Sequence, residues 1–316
     1  MKGEEARQRV GDVLTAVHSA IVGRDVVLRQ IATGLLADGH LLIEDLPGLG
    51  KTLMAKSFAK ALGLSFARVQ FTADLLPHDI TGGELFDAEK QSFVFRRGPL
   101  FTNLLLADEI NRAPPKVQSA LLEAMQERQV TSERTTYALE RPFLVLATQN
   151  PIELEGTYPL PEAQVDRFLM RLTVGYPTPE EEQEILERRR LRKVDDAEVP
   201  TVLSTKEFLE LQRSVEEVEV DPAIERYVVA LIGQTRLDVR AEVGASPRGS
   251  LALLKLSRAR ALLEGRDFVV PDDVKALAEP ALCHRIIVKP EPWIRGVRGS
   301  EIVRSALDRV PVPKIP

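Results

Sequence analysis

The chain has 316 residues, of which 44% are hydrophobic and 28% charged, and a formal net charge of −5. These are the proportions of a soluble globular protein long enough for two or three domains, and the acidic balance disfavours non-specific binding to nucleic acid. The single cysteine, Cys283, excludes an intrachain disulfide, and no apolar run approaches the roughly 18 residues of a membrane-spanning helix.

The start, Met1-Lys2-Gly3-Glu4-Glu5, is polar and has no signal-peptide core; with the lone cysteine this leads to the expectation of a cytoplasmic protein. Residues 5–20 read as a helix with Val10, Val13, Leu14 and Val17 on one face. Ile21-Val22-Gly23 follows, then a second helix near residues 25–37. Ile21 and Val22 have two readings: plain packing, or an apolar wall for an adenine ring beside a phosphate loop.

That loop comes next. Leu41-Leu42-Ile43-Glu44 runs into Asp45-Leu46-Pro47-Gly48-Leu49-Gly50-Lys51-Thr52, and Leu53, Ala55, Phe58, Ala59 and Leu62 mark a helix behind it. Strand, glycine loop and helix in this order are the context of a phosphate-binding loop. Backbone N–H groups of Leu49 to Thr52 can turn inward around phosphate oxygens, and Gly48 and Gly50 allow close approach because they lack a Cβ. The helix adds the positive end of its dipole. Lys51 would neutralise the β- and γ-phosphates of ATP, and the Thr52 hydroxyl would ligate Mg2+. Pro47 and Leu53, with Ile21, Val22 and Gly23, complete the candidate nucleotide-binding set. Asp45 stands where the usual pattern has its first glycine; that position starts the turn and need not touch phosphate, so the change is expected to be tolerated.

Residues 66–71 read as a second strand, and residues 79–100 as a hairpin in which Leu85-Phe86 and Phe93-Val94-Phe95 flank a turn at Asp87-Ala88-Glu89-Lys90. An ordered excursion of this length is expected to be functional. Leu104-Leu105-Leu106-Ala107 then runs into Asp108-Glu109, as in a strand buried on both faces whose C-terminal end meets a ligand. Asp108 is expected to hold Mg2+ through water, and Glu109 to act as general base on the attacking water. Val117, Ala120, Leu121, Ala124 and Met125 form the core stripe of a following helix. Residues 129–139 read as a second hairpin, with Val130-Thr131 and Thr136-Tyr137 as strands and Ser132-Glu133-Arg134 near the turn. Residues 143–147 form another doubly buried strand that ends at Thr148-Gln149-Asn150, where an amide can reach the γ-phosphate or simply form a turn before Pro151. Residues 168–174 supply a fifth strand.

Thr178-Pro179, with Glu180, Glu181 and Glu182 in the first turn, starts a helix. Residues 188–193 and 195–200 read as a charge-rich linker, in which Arg188-Arg189-Arg190 is a solvated helix end rather than a nucleic-acid patch. Beyond it the chain is helical. Ser204 and Glu207 form a capping box ahead of Phe208, Leu211 and Val215, and further helices start at Asp221-Pro222, Ser246-Pro247 and Pro271-Asp272-Asp273, the last reaching His284. Arg248 is a first-turn cation at the wrong end of a helix dipole, which favours an anionic partner such as phosphate. Residues 290–316, with Trp293, read as one short helix between prolines. The expected division is an α/β nucleotide-binding domain at 1–176, a linker helix and charged connection at 177–203, and an α-helical lid at 204–316.

The paired nucleotide motifs, the hairpin at 79–100 and Gln149-Asn150-Pro151 resemble an AAA+ ATPase. Phe71-Thr72-Ala73-Asp74-Leu75-Leu76-Pro77, Asp108-Glu109-Ile110-Asn111-Arg112-Ala113-Pro114-Pro115-Lys116 and Gly156-Thr157-Tyr158-Pro159-Leu160-Pro161-Glu162-Ala163-Gln164-Val165-Asp166-Arg167-Phe168 are similar to the MoxR family within it. The last stretch is the most specific, being long and not demanded by ATP binding in general. The resemblance implies a five-stranded parallel sheet of order 5-1-4-3-2 and a small helical lid. It implies that residues 79–100 are a helix-2 insert and residues 129–139 a pre-sensor-1 hairpin, elements that usually face the pore of a ring. Asn150 would be sensor 1, Arg167 an arginine finger reaching a neighbouring subunit, and Arg248 the sensor-2 arginine, acting in cis or in trans. The implied protein is a homo-oligomer, a hexameric ring, that hydrolyses ATP with Mg2+ to remodel or mature partner proteins carrying von Willebrand factor A domains. A nucleic-acid motor on the same core is disfavoured by the acidity, and a nucleotide-gated assembly module with little turnover by the presence of Glu109 and Asn150.

Overall fold

A computed structural model describes residues 3–89, 91–132, 135–151, 156–195 and 197–314. Met1-Lys2, Lys90, Glu133-Arg134, residues 152–155, Asp196 and Ile315-Pro316 lie outside these residues, so part of each turn expected at 87–90 and 132–134 does as well. Helices α1 (Gly3–His18) and α2 (Asp25–Leu36) precede β1 (Leu41–Glu44), α3 (Lys51–Ala61), β2 (Phe66–Gln70) and α4 (Pro77–Thr81). A hairpin of β3 (Gly82–Asp87) and β4 (Ser92–Arg97) leads to β5 (Leu104–Asp108), a 3-10 turn at Ile110–Arg112 and α5 (Pro115–Glu127). The second hairpin, β6 (Gln129–Ser132) and β7 (Thr135–Ala138), precedes β8 (Leu144–Gln149), α6 (Glu162–Val165) and β9 (Met170–Leu172). Then come α7 (Pro179–Arg192), α8 (Thr205–Glu216), α9 (Pro222–Leu237), β10 (Ala241–Val243), α10 (Pro247–Leu263) and α11 (Pro271–Leu282). A 3-10 turn at Cys283–Arg285, β11 (Ile287–Val288), α12 (Pro290–Ile294) and α13 (Gly299–Arg309) complete the chain.

The central sheet is parallel throughout, in the order β2-β5-β8-β1-β9; counted over these strands alone this is the implied 5-1-4-3-2. Strands β1, β5 and β8 are buried on both faces because helices cover both sides, whereas the edge strand β2 carries exposed Arg68 and Gln70. Side chains divide by parity. Ile43, Leu104, Leu106, Leu144 and Leu146 join a cluster with α1, α2 and α3 that continues through Phe208, Tyr227, Leu253 and Leu277 of the later helices. Leu42, Leu105, Ala107, Val145 and Ala147 join a second cluster with Val117, Leu121 and Met125 of α5. No helix among the described residues is long and apolar enough to cross a membrane.

The helix starts follow the sequence signals. Thr178 and Glu181, and Ser204 and Glu207, form reciprocal capping boxes, and the Asp221 carboxylate accepts from the Ala223 N–H at 2.7 Å. Three expectations need correction, and one element is new. The fifth strand is only Met170–Leu172, because Phe168 is buried in the second cluster and the amides of Val174 and Gly175 are taken by the Asp45 carboxylate. Residues 188–192 belong to α7, which ends at Lys193 in a left-handed conformation, so the linker begins later. The C-terminal stretch holds two helices, α12 and α13, rather than one. The antiparallel pair β10–β11 was not foreseen.

Candidate nucleotide site at the sheet edge

Parallel register aligns the C-terminal ends of β1, β5 and β8, with Ile43 beside Thr148 and Ala107 beside Ala147. The phosphate-loop candidate, Asp108-Glu109 and Asn150 therefore leave the sheet at one edge. Gly48 and Gly50 have φ of +83° and +78°, and a Cβ at either would meet no atom within 4 Å. Glycine is thus needed for the left-handed backbone, and the hollow of the loop is open. Lys51 Nζ donates to the carbonyls of Asp45 at 2.7 Å and Leu46 at 2.9 Å. Partial burial lowers the Lys51 pKa, while the charges of Asp45, Asp108 and Glu109 oppose that shift, so all three carboxylates lie around its ammonium. An open amide cradle at the start of a helix, an ammonium and convergent carboxylates fit a nucleoside triphosphate with a divalent cation.

Asp108 is buried, and both of its oxygens are engaged. Oδ1 accepts from Thr148 Oγ1 at 2.6 Å, and Oδ2 from Arg68 Nη2 at 2.8 Å. Glu109 has a left-handed backbone, φ 57° and ψ 50°. For a residue with a Cβ this costs on the order of 1–2 kcal/mol. Its N–H donates to the Thr148 hydroxyl at 2.8 Å; its Oε2 accepts from Gln70 Nε2 at 2.8 Å and pairs with Arg112 Nε at 3.1 Å. These contacts hold the turn. Asn150 is buried, and its carbonyl accepts from Asn111 Nδ2 at 3.2 Å. Sequence reading did not single out Thr148, Arg68 or Gln70. Thr148 stood in plain view beside Gln149-Asn150, but Gln70 meets this site only through the β2–β5 register, which sets it beside Asp108.

Against the loop lies a cavity of 310 Å³. Ile21, Val22, Leu49, Leu53, Pro177 and Ile185 give it apolar walls, Gly48 and Gly50 bring it to the loop, and Arg24, Arg188, Arg189 and Arg192 also line it. Ile21 and Val22 are each buried, and each lines the cavity. Arg188, Arg189 and Arg190 lie at the end of α7 as expected, with Arg190 exposed, while Arg188 and Arg189, with Arg192, also line this cavity. Gly23 and Pro47 are not among its lining residues. A Cβ on Gly23 would come within 1.9 Å of Glu181 Oε1, so that glycine admits the first turn of α7. Asp45 is more than tolerated. It is 7% exposed; its Oδ1 accepts from the Leu46 N–H at 2.8 Å and its Oδ2 from those of Val174 and Gly175 at 2.6 Å each. Thr52 sits in the first turn of α3, as the motif requires.

Arg167 and Arg248 are elsewhere. Strand β1 has four residues and spans about 13 Å, with His40 before it and Asp45 after it. Arg167 and Arg248 share a 140 Å³ cavity with His40, Met125 and Gln126, and neither lines the cavity at the phosphate loop. Arg167 Nη1 donates to the Leu122 carbonyl at 2.9 Å, and Arg248 Nη1 to Asp166 Oδ2 at 3.3 Å. His40 donates through Nε2 to the Met125 carbonyl at 3.0 Å, and its Nδ1 accepts from the Val145 N–H at 3.1 Å. Burial pushes its pKa down to about 4, so the ring is neutral. The structure brings the two arginines together, at the sheet edge opposite their own phosphate loop.

A parallel sheet of this order, a phosphate loop after the strand next to its edge and a helical lid define an AAA+ ATPase fold. The family described as ATPase family associated with various cellular activities (AAA) matches residues 40–170, and the AAA lid domain matches residues 233–306. The chain is 44% identical to Chaperone MoxR1 of Mycobacterium tuberculosis, over 95% of this chain and 81% of that one. It is 33% identical to Protein MoxR of Paracoccus denitrificans, over 96% of each. A crystal structure of a Cytophaga hutchinsonii protein assigned as an ATPase superposes with a TM-score of 0.92 at 40% identity, covering 99% of this chain and 97% of that one. The chain belongs to the MoxR family of AAA+ ATPases.

Proposed function

We propose that the protein hydrolyses Mg-ATP as a ring of identical copies, a hexamer, and uses the cycle to remodel or mature other proteins in the cytoplasm. The observation that carries this reading is the division of the phosphoryl-transfer groups between opposite edges of the sheet. A head-to-tail ring sets the arginine edge of one copy against the nucleotide edge of the next and completes the site. Lys51 and the loop amides bind the β- and γ-phosphates, and the α7 cavity takes the base. Thr52 and Asp108 would hold Mg2+, and since the Asp108 oxygens are already bonded to Thr148 and Arg68, Asp108 would act through water. Bound Mg2+ supplies positive charge to the phosphate oxygens. Glu109 accepts a proton from the water that Asn150 orients. The water oxygen forms a bond to the γ-phosphorus in line with the β–γ bridge, which breaks to release ADP. Arg167 of the adjoining copy, with Arg248, neutralises the charge that develops.

Protein remodelling is supported by the name of the chaperone relative and by exposed Phe86 and Phe93, packed edge to face at 5.5 Å on the first hairpin. Partners with von Willebrand factor A domains follow from the family resemblance; capture with Glu109→Gln in ATP identifies them.

The shared site is tested by complementation. Glu109→Gln is expected to bind ATP and to lose about 10²–10⁴-fold in kcat. Arg167→Ala is expected to bind ATP and to lose about 10³-fold or more. In mixed rings some Arg167→Ala pockets meet the intact finger of a Glu109→Gln copy, so two inactive proteins together regain part of the rate, most at intermediate ratios. Assemblies shown by native mass spectrometry to be mixed, yet as slow as their parents, would rule the shared site out.

A further inference from the structure

The segment that carries Arg167 is held from the lid. Arg285 lies in the 3-10 turn after α11, and its side chain is 2% exposed. Its Nη1 donates to the Asp166 carbonyl at 2.7 Å and also to Asp166 Oδ1. Its Nη2 donates to the carbonyls of Phe168 at 2.7 Å and Leu169 at 3.4 Å, and its Nε to the Ala281 carbonyl at 2.7 Å. One guanidinium thus ties three carbonyls and a carboxylate around Arg167 to the end of α11. Two lid neighbours add to it: Arg248 Nη1 reaches the other carboxylate oxygen of Asp166 at 3.3 Å, and His284 Nε2 donates to the Phe168 carbonyl at 3.1 Å. Arg285 does not line the cavity at its own phosphate loop.

The chemistry of this contact favours placement over packing. Removing a charged guanidinium from water is costly, and a buried ion pair is weak at stabilising a fold compared with apolar residues of similar volume. What the planar fork supplies is fixed geometry across several acceptors, which a lysine ammonium cannot reproduce. The geometry is spent on the residues flanking the arginine that reaches out of the subunit.

We propose that Arg285 is a positioning residue for the arginine finger: it makes the lid set where Arg167 is presented to the nucleotide of the adjoining copy. The inference rests on Arg167 acting in trans, as proposed above. Lid displacement in one copy then alters hydrolysis in the next copy rather than in its own pocket.

Arg285→Lys and Arg285→Met are expected to bind ATP with unchanged affinity, because their phosphate loop and carboxylates lie at the other edge. Their kcat is expected to fall about 10- to 100-fold, the cost of misplacing a catalytic group by roughly 1 Å. Asp166→Asn, which keeps an acceptor for the fork, is expected to show a smaller fall of the same kind. The deciding measurement is rescue. Mixed with Glu109→Gln, whose finger is intact, each variant regains rate; mixed with Arg167→Ala it does not, because neither protein presents a working finger. A variant that merely misfolds loses ATP affinity and is not rescued; Arg285→Lys and Asp166→Asn carry the test if Arg285→Met does not fold. The Arg167→Ala and Glu109→Gln mixture runs beside them. If that control recovers and the Arg285 mixtures do not, Arg285 acts elsewhere and the inference falls alone. If verified mixed control assemblies stay silent, the reading of Arg167 falls and the inference with it. Unchanged kcat in the Arg285 variants also overturns it.

Discussion

At the C-terminal edge of the sheet, Asp108 ends β5, Glu109 and Asn150 directly follow β5 and β8, and Lys51 opens α3 after the loop that leaves β1, so strand register and one short loop gather them. At the N-terminal edge, His40, Arg167, Arg248 and Arg285 come from four stretches of chain: the start of β1, the loop before β9, the first turn of α10 and the turn after α11. One edge is a local construction on rigid strand ends. The other is a composite whose geometry depends on how α5, the finger segment and the lid pack. On the proposed reading the first edge holds the nucleotide and the general base, and the second supplies charge to the transition state of the adjoining copy, so each edge can be perturbed separately.

The largest expected effect on binding is at the strand-end edge. Lys51→Ala removes the charge on the β- and γ-phosphates, and nucleotide affinity by calorimetry is expected to fall about 100-fold or more, the scale of a charge-assisted contact of roughly 3 kcal/mol. Unchanged affinity would take the phosphate loop out of the mechanism.

Arg248→Ala sharpens the contrast. Its kcat is expected to drop about 10- to 100-fold at unchanged ATP affinity, because Arg248 points at Asp166 and shares a cavity with Arg167. A comparable loss of affinity would show that it reaches the nucleotide of its own copy and would break the division.

Acid should weaken the composite edge through His40. Its folded pKa is about 4 against an ordinary 6.5. Between these values the folded state binds fewer protons than the unfolded one, so stability rises with pH; it is lost as pH falls from about 6.5 towards 4, by at most about 1.4 kcal/mol per pH unit. Burial lowers the pKa of His284 as well, which acts with the same sign. Denaturant midpoints of His40→Gln at several pH values are expected to show a flatter dependence than those of the parent, and an equal slope would refute a neutral buried His40.

The smallest effect is on the hairpins, which enter the sheet from the same edge. Phe95 of β4 stacks on Tyr137 of β7 with centroids 4.0 Å apart and ring planes 10° apart. Phe95→Ala is expected to cost about 1 kcal/mol in thermal stability and to leave ATP affinity as it was. A changed affinity would mean that the two edges are not separable.

The same contrast decides what the sequence could reveal. Strands β1, β5 and β8 were legible because burial on both faces leaves unbroken apolar runs such as Leu104-Leu105-Leu106-Ala107, and the main helix starts because Thr178, Ser204 and Asp221 advertise their caps. The phosphate loop and the Asp108-Glu109 pair could be read because each is contiguous. Arg167 was found only through family resemblance, since nothing local in Asp166-Arg167-Phe168 marks a functional cation, whereas Arg248 had a local hint in its place at the wrong end of a helix dipole. Arg285 was passed over, since its partners lie more than a hundred residues away in the chain. That Arg188, Arg189 and Arg192 also line the cavity was not legible for a similar reason, because only the fold of α7 over the loop brings them there. Strands β10 and β11, of three and two residues, are too short for a period to show, and α13 begins at Arg298 without a Ser, Thr, Asp or Asn cap.

A glycine at position 45 would leave the head of the phosphate loop free to sample many shapes. Asp45 binds three amides and Pro47 fixes its own φ, so much of that freedom is surrendered when the chain folds. Ordering one residue of backbone costs about 1–2 kcal/mol, and here the cost falls on folding rather than on nucleotide binding. Nucleotide exchange can then proceed without the head of the loop melting and re-forming, and each incoming ATP meets a preorganised template.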